Sequence, residues 1–280
     1  MTHNARQHFR AADKQKLRDE DAGDSAFSSR AANPGLSKSK GKALDIKRTD
    51  ALIKRIAALQ SMLYAQRKQK VLLVLQGMDT SGKDGTIRAM FSGVSPMGVS
   101  AVAFKAPTDE ELAHDYLWRV HQHVPVKGQI AIFNRSHYED VLITKVQDMI
   151  DGGECKRRYA QIRDFERMLA ETGTVIVKVF LHISKEEQRE RLQERLDDPD
   201  KQWKFAPTDI EQRKKWNEYQ RAYEQAIRET DQPHAPWYIV PANSKTHRNL
   251  VIASLLLETL EGMDLSFPPP HPDLSSFTVV

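Results

Sequence analysis

The 280-residue chain predicts an α/β fold, a doubly wound sheet of five parallel strands, on three observations. Five short segments are almost continuously apolar, helical patterns with recognisable starts separate them, and the first apolar run opens straight into a glycine-rich loop. The strand candidates are VLLVLQ (71–76), VSAVAF (99–104), GQIAIF (128–133), TVIVKVFLHI (174–183) and PWYIV (236–240). Runs this apolar suit buried parallel strands covered by helices on both faces. Ahead of the first, Leu52, Ile56, Leu59 and Leu63 recur at helical spacing and predict an amphipathic helix over about 49–68. Later helices announce their starts: Thr108-x-x-Glu111, Ser184-x-x-Glu187 and Thr208-x-x-Glu211 each fit the capping box, in which hydroxyl and carboxylate satisfy each other's free amide. Strand and helix therefore alternate, which is the pattern of a doubly wound sheet.

Composition bounds what surrounds this domain. The 40% hydrophobic content supplies a core, and no apolar run approaches the roughly 20 residues that span a bilayer. The polar N-terminus does not read as a secretory signal. A single cysteine, Cys155, sits in a GGECKRR segment that reads as a turn without partner ligands; it excludes an internal disulfide and suits a reducing cytoplasm. Of the 42 Lys/Arg and 38 Asp/Glu, residues 1–70 hold 16 and 7, leaving 26 and 31 for the rest. The pI near 9.0 thus belongs to the N-terminal region, and net charge is no argument for a polyanionic partner. Residues 1–45 lack apolar periodicity and contain SSRAANPGLSKSKGK, so they read as a basic, flexible arm. The alternative is an arm that packs on a neighbouring subunit or recruits anions. Residues 46–262 form the domain, and a Pro-rich extension over 263–280, FPPPHPDLSSF at its centre, cannot continue a helix.

The chemistry concentrates in GMDTSGKDGTIR. Gly77 and Gly82-Lys83 fit G-x-x-x-x-G-K, a loop whose backbone N–H groups, here around Thr80, Ser81, Gly82 and Gly85, converge on phosphate oxygens while Lys83 adds a point charge. The Ser/Thr that normally follows the lysine and holds magnesium is Asp84, and Asp79 adds a second carboxylate inside the loop. Carboxylates repel phosphates unless metal or arginine compensates. The loop therefore reads as one that takes a polyanion through bridging magnesium. The third strand ends in FNRSHYED, at the edge that faces the crevice in this architecture. Many P-loop kinases carry an aspartate there; this chain has Asn134, followed by Arg135, a two-pronged donor for a phosphoryl oxygen or an ion-pair partner of Glu139. Glu139 and Asp140 are candidates for positioning metal or nucleotide. His137 reads as a polar wall, because an anionic phosphate acceptor needs little base catalysis. Between the fourth and fifth strands, Arg191 and Arg195 lie four apart on one helix face, and DDPD and FAP supply breaks around Trp203-Lys204. This segment reads either as a solvated helix, with Glu187–Arg191 an ordinary pair, or as a helical lid over 184–230 whose arginines close on phosphates.

Together GMDTSGKDGTIR, FNRSHYED and QRERLQERLDDPDKQWKFAPTD resemble the polyphosphate kinase 2 family, from roughly residue 45 to 262. The Asp-bearing loop is the most discriminating of the three. The resemblance implies a P-loop kinase-like fold and reversible transfer of phosphoryl groups between inorganic polyphosphate and adenine or guanine nucleotides, with Mg²⁺ or Mn²⁺. It also implies a cytoplasmic homo-oligomer, dimer or tetramer, with no nucleic-acid or membrane partner. By it, Asp79 and Lys83 are the loop's catalytic pair, Asp79 being the magnesium-binding one, Arg135 the strand-end phosphate arginine, and Arg195 the lid arginine with Arg191 second. Arg88 and Lys145 are further candidates along the polyphosphate path. Asn134 departs from the aspartate of the nucleoside-diphosphate branch; NRSHYED resembles the branch that phosphorylates both AMP and ADP. Two rivals stand beside this reading. An ATP-dependent nucleoside monophosphate kinase is opposed by Asp84, and a non-catalytic polyanion-binding protein would work through the basic arm.

Overall fold

The computed structural model describes residues 4–273; of the expected extension over 263–280, residues 274–280 lie outside the described residues. Five strands, β1 (Lys70–Gln76), β2 (Val99–Ala103), β3 (Ile130–Asn134), β4 (Thr174–His182) and β5 (Trp237–Pro241), form one sheet in the order β2-β3-β1-β4-β5, every pairing parallel. The chain builds β2 and β3 on one side of β1, then crosses to build β4 and β5 on the other. The crevice outside the carboxyl end of β1 is thus the switch point where such sheets bind ligands. β1, β3 and β4 are buried along nearly their whole length. β2 differs from the expected buried strand: it is an edge, built of small residues and half exposed.

The longer helices are α1 (Lys38–Gln66), α2 (Lys83–Phe91), α3 (Glu139–Val146), α4 (Gly152–Glu171), α5 (Lys185–Asp197), α6 (Pro207–Lys214), α7 (Trp216–Thr230) and α8 (Lys245–Glu261). α1 starts well before the expected residue 49, because Ser37 caps it by accepting from the Lys40 N–H. The Thr108 box forms reciprocally, at 2.8 and 3.2 Å, and Ser184 Oγ accepts from the Glu187 N–H at 3.2 Å. The Thr208 box does not form. Pro207 takes the first helical position, where its missing N–H costs nothing, and α6 begins before the threonine. Cys155 lies on α4, whose N-terminus Asp151 caps, and is buried rather than in a turn.

Two expectations about the periphery are corrected. The basic segment over 1–45 is not a free arm. Phe9, Leu17 and Phe27 are buried, the Ala11 N–H donates to Trp237 O and the Ile239 N–H to Phe9 O, at 2.9 and 2.8 Å. The arm thereby covers the open edge of β5, which would otherwise present unpaired backbone groups. Its apolar anchors follow neither helical nor strand period, so the sequence concealed them. The second correction shortens the covering segment. α7 buries Trp216, Tyr219, Tyr223 and Ile227 and packs on α3 and α4, so it belongs to the core. Within the expected lid, the side chains that line the crevice run from Arg191 on α5 to Asp209 at the start of α6. No helix among the described residues is long and apolar enough to cross a membrane.

Beneath the crevice lies a wholly buried ion pair. Lys178 Nζ on β4 donates to Glu166 Oε2 on α4 at 2.6 Å and to Tyr138 Oη at 2.8 Å; the Tyr138 hydroxyl donates to Glu166 Oε1 at 2.8 Å, and His137 Nε2 lies 3.2 Å from the same oxygen. Burial alone would raise the Glu166 carboxyl, but Lys178 and His137 outweigh it and hold it below its ordinary value. His137 and Tyr138 of the NRSHYED motif are thus structural anchors. Lys178→Met strands a buried carboxylate and is expected to cost about 3–5 kcal/mol in denaturant unfolding. Adding Glu166→Leu should return most of that loss, since the uncompensated charge is then gone.

Candidate active site

The loop between β1 and α2 carries Gly77 at φ 152° and Gly82 at φ 98°. A Cβ on Gly77 would lie 2.8 Å from Leu181 O, and one on Gly82 would overlap the Arg248 guanidinium, so both glycines are required by space as well as backbone. Thr80 also adopts a positive φ, 65°. The loop's carbonyls are taken up by cations. Lys83 Nζ donates to Gly77 O at 2.7 Å and Met78 O at 3.3 Å. Arg191 Nη1 donates to Thr80 O at 2.9 Å and Ser81 O at 3.3 Å, and Arg248 Nη1 donates to Ser81 O at 3.4 Å. A peptide's N–H points away from its carbonyl, so gripping the carbonyls turns amides toward the crevice. The first-turn N–H groups of Lys83, Asp84 and Gly85 have no helical acceptor and add the α2 dipole.

Parallel register sets Asn134 beside Leu75 and Arg135 at the loop's flank. Arg135 is held at φ 60°, a left-handed position costly for a non-glycine residue. Its guanidinium donates to Asp79 Oδ1 at 2.7 Å, the partner being Asp79 rather than the Glu139 of the simple ion-pair reading. Burial pulls the Arg135 pKa down, yet Glu139 and Asp79 push it above its usual value. Burial lowers Lys83 to about 8, with Arg135 adding to the effect and Asp79, Glu139 and Asp84 opposing it. Asn134 Nδ2 donates to Asp84 Oδ1 at 2.6 Å, and Lys204 Nζ lies 3.8 Å from Asp84 Oδ2, reaching from the covering segment to the loop. Burial raises Glu139, which sits behind Arg135 and Lys83.

Asp79, Lys83, Asp84, Asn134, Arg135, Arg191 and Lys204 line a hollow of about 700 Å³ together with Arg88, Lys105, Glu194, Arg195, Lys201, Trp203, Asp209, Lys245 and Arg248. Among the described residues, ten of its lining side chains are Lys or Arg and four are Asp or Glu, so it is cationic although the domain is not. A larger hollow, about 1110 Å³, lies between the arm, α1 and α8, but its arginines include the paired Arg10–Asp231 and Arg55–Glu261 and it contains none of the motif residues.

Most sequence-predicted residues therefore converge: Gly77 by forming the turn, and Asp79, Thr80, Gly82, Lys83, Asp84, Gly85, Arg88, Asn134, Arg135, Arg191 and Arg195 on the hollow itself. Ser81 lies buried in the loop. Four do not fit as expected. Glu139 is absent from the hollow's lining. Asp140 turns from the hollow toward Arg158, 3.9 Å away, and burial lifts its carboxyl to about 6. Lys145 lines a separate hollow with Lys215. Arg191 is saturated by structural partners, donating also to Glu187 at 2.7 Å and to Ala242 O and Asn243 O at 2.7 and 3.0 Å. It clamps the loop to the turn after β5 instead of presenting a free fork. Among the described residues Arg195 makes only a 3.2 Å bond to Lys204 O and a 3.5 Å pair with Asp209. Sequence reasoning missed Arg248, in the first turn of α8, which is 3% exposed and meets no carboxylate among the described residues. Burial, with Arg191 nearby, lowers it to about 10. No local signal marks it, because only the packing of α8 against the loop gives it meaning.

Comparisons with known proteins agree with this geometry. A family profile described as Polyphosphate kinase 2 (PPK2) matches residues 38–268. The chain is 55% identical over 231 residues to the AMP/ADP-polyphosphate phosphotransferase of Meiothermus ruber, covering 82% of this chain and 86% of that one. It is 42% identical over 232 residues to the ADP-polyphosphate phosphotransferase of Rhodopseudomonas palustris, covering 79% and 80%. The crystal structure of Polyphosphate Kinase 2 from Arthrobacter aurescens TC1 superposes with a TM-score of 0.89 at 40% identity, covering 97% of this chain and 94% of that one.

The two lid-helix arginines should separate in stability measurements. Arg191→Ala leaves several buried carbonyls without donors and is expected to cost about 2–4 kcal/mol in chemical unfolding. Arg195→Ala, which removes one loose, partly exposed pair, should stay within about 1 kcal/mol of the parent.

Proposed function

Since the chain belongs to the polyphosphate kinase 2 family, we propose that it transfers phosphoryl groups from inorganic polyphosphate to AMP and ADP, forming ADP and ATP reversibly. The observation that carries this reading is a phosphate loop with an aspartate after its lysine, set in a hollow where Lys and Arg outnumber Asp and Glu ten to four. A donor bearing about one charge per phosphate along an extended chain calls for cations spread along a path, and this hollow supplies them on the loop, α2, α5, α8 and the segment above it.

In the proposed reaction the loop amides and Lys83 hold the donor's terminal phosphates. Arg135, fixed by its Asp79 contact beside the loop, stabilises charge on the transferring phosphoryl, and Arg195 approaches from the covering segment. The terminal phosphoryl leaves the donor's bridging oxygen as a phosphate oxygen of AMP or ADP attacks in line; the shortened polyphosphate takes the departing electron pair. The acceptor is already anionic, so no general base is needed and positioning dominates.

The residues suit magnesium. Asp79 and Asp84 offer hard oxygen donors on one loop, and magnesium is commonly bound by one or two carboxylates plus substrate phosphates. Asp79 would hold it, with Asp84 as a second carboxylate, and bound magnesium would neutralise phosphate charge. Asn134 fits the same electrostatics. It donates to Asp84, whereas an aspartate there would bring two carboxylates to hydrogen-bond distance and demand a proton or metal between them.

The decisive experiment incubates purified protein with AMP, Mg²⁺ and long-chain polyphosphate without ATP, resolving nucleotides by chromatography. ADP followed by ATP is the expected result; ATP from ADP alone would restrict the acceptor, and transfer only from ATP would favour a nucleoside monophosphate kinase. In the same assay Asn134→Asp should lower activity on AMP relative to ADP, and an unchanged ratio removes the role given to Asn134. Acid–base behaviour offers a second check. With Lys83 lowered to about 8, the free enzyme loses this cation as pH rises through that value. kcat/KM for polyphosphate should then fall about tenfold per pH unit above it. Bound phosphates stabilise the charged lysine, so the kcat limb should lie at higher pH, and Lys83→Arg should abolish the kcat/KM limb.

A further inference from the structure

The basic N-terminal segment finds no use in the chemistry above, yet part of it lines a second hollow that meets the first. This hollow, about 600 Å³, lies between the arm, the start of α1 and the start of α8, and is lined by Arg30, Lys38, Lys42, Glu187, Lys245 and Thr246 among others. Lys245 lines both hollows. It stands one helical turn from Arg248, so the two cations share the face of α8 that runs from the phosphate loop toward the arm. Arg248 is nearly wholly buried and has no carboxylate partner among the described residues, an arrangement that favours an anion beside it. Arg30, Lys38 and Lys42 are exposed and likewise form no ion pair among the described residues. Of the acids nearby, Asp45 accepts from the Ser29 N–H at 2.6 Å and Glu187 from Arg191 at 2.7 Å, while Glu194 lies 3.7 Å from Lys245 Nζ, a loose exposed pair that phosphate can displace.

We propose that the donor polyphosphate leaves the active hollow over Arg248 and Lys245, and that its distal phosphates rest on Arg30 of the arm and on Lys38 and Lys42 at the start of α1. The proposal rests on the function argued above and adds a length-sensing subsite to it. A short donor held by the phosphate loop never reaches the arm, whereas a long one gains several charge contacts. These three cations therefore set affinity for long chains and leave the transfer step alone, since none of them lines the active hollow. A fixed anionic repeat is what such a row of separate cations recognises; a compact nucleotide would engage one or two of them.

The test compares the parent with Arg30→Gln/Lys38→Gln/Lys42→Gln in steady-state transfer to ADP, using long-chain polyphosphate and tripolyphosphate as donors. Lys14→Gln/Lys47→Gln/Lys54→Gln, exposed positions off the hollow, controls for net charge. The expected result is an increase of about tenfold in KM for the long chain, from three exposed charge contacts, with kcat unchanged. Tripolyphosphate kinetics and the control variant should both match the parent. An unaltered long-chain KM overturns the proposal, as does an equal rise in the control or an equal rise for tripolyphosphate. Because Arg30 packs on Gly41, Lys38→Gln/Lys42→Gln serves as the second variant and should show a smaller rise of the same kind. Absence of any polyphosphate-dependent transfer by the parent is a different failure: it rejects the function itself, and the subsite with it.

Discussion

The arrangement depends on one constraint, that the carbonyls of the loop from Gly77 to Gly82 are held from behind. Three cations from three different places do this: Lys83 from α2, Arg191 from α5 and Arg248 from α8. Each peptide unit is planar, so fixing its carbonyl fixes the opposite direction for its N–H. The loop's conformation thus follows from where those helices pack, and they pack where they do because the strands between them are buried in one parallel sheet. The same cations raise the positive potential of the hollow. Structure and electrostatics share one set of side chains, which explains why a loop bearing Asp79 and Asp84 still presents a cationic face.

Much of this was legible locally. The strands are nearly continuous apolar runs, and the glycine spacing requires no distant contact to be recognised. The strand-end position of Asn134 and Arg135 follows from the run before them, and the structure sets them beside the loop as that position implies. What stayed hidden depends on long-range packing. Arg191 and Arg195 look equivalent in sequence, four apart on one face, yet one is saturated by backbone carbonyls and the other nearly free. The distinction comes from the turn after β5, fifty residues later. Arg248 is unreadable for the same reason. Asp140, adjacent to Glu139, was expected to share its role, but successive helical positions diverge by about 100°, enough to face Asp140 toward α4 instead.

The arm illustrates a different limit. Its composition resembles that of a disordered tail, with few apolar residues and many charges. A strand edge, however, needs only a handful of backbone bonds and a few anchors to be covered. Phe9, Leu17 and Phe27 suffice, and the pairing with β5 is supplied by backbone groups that carry no sequence signature. Low average hydropathy describes the arm's exposed surface, and that is the surface available to an anion.

Asp84 draws these threads together. An ordinary phosphate loop places a neutral hydroxyl at this point, so its ligand charge is balanced mainly by the lysine and the metal. A carboxylate adds one negative charge at the mouth of α2, where the helix dipole makes it tolerable. Here it also accepts from Asn134 and faces Lys204 of the covering segment. The loop is thereby linked to the segment that stands over it, by an ion pair long enough to yield to phosphate or metal. A carboxylate is also a stronger magnesium ligand than a hydroxyl. A carboxylate in place of the hydroxyl raises the negative charge that the surrounding cations must balance. The surplus of lysine and arginine around the hollow is what makes that substitution affordable, so the unusual aspartate and the dense cationic lining are two sides of a single electrostatic solution.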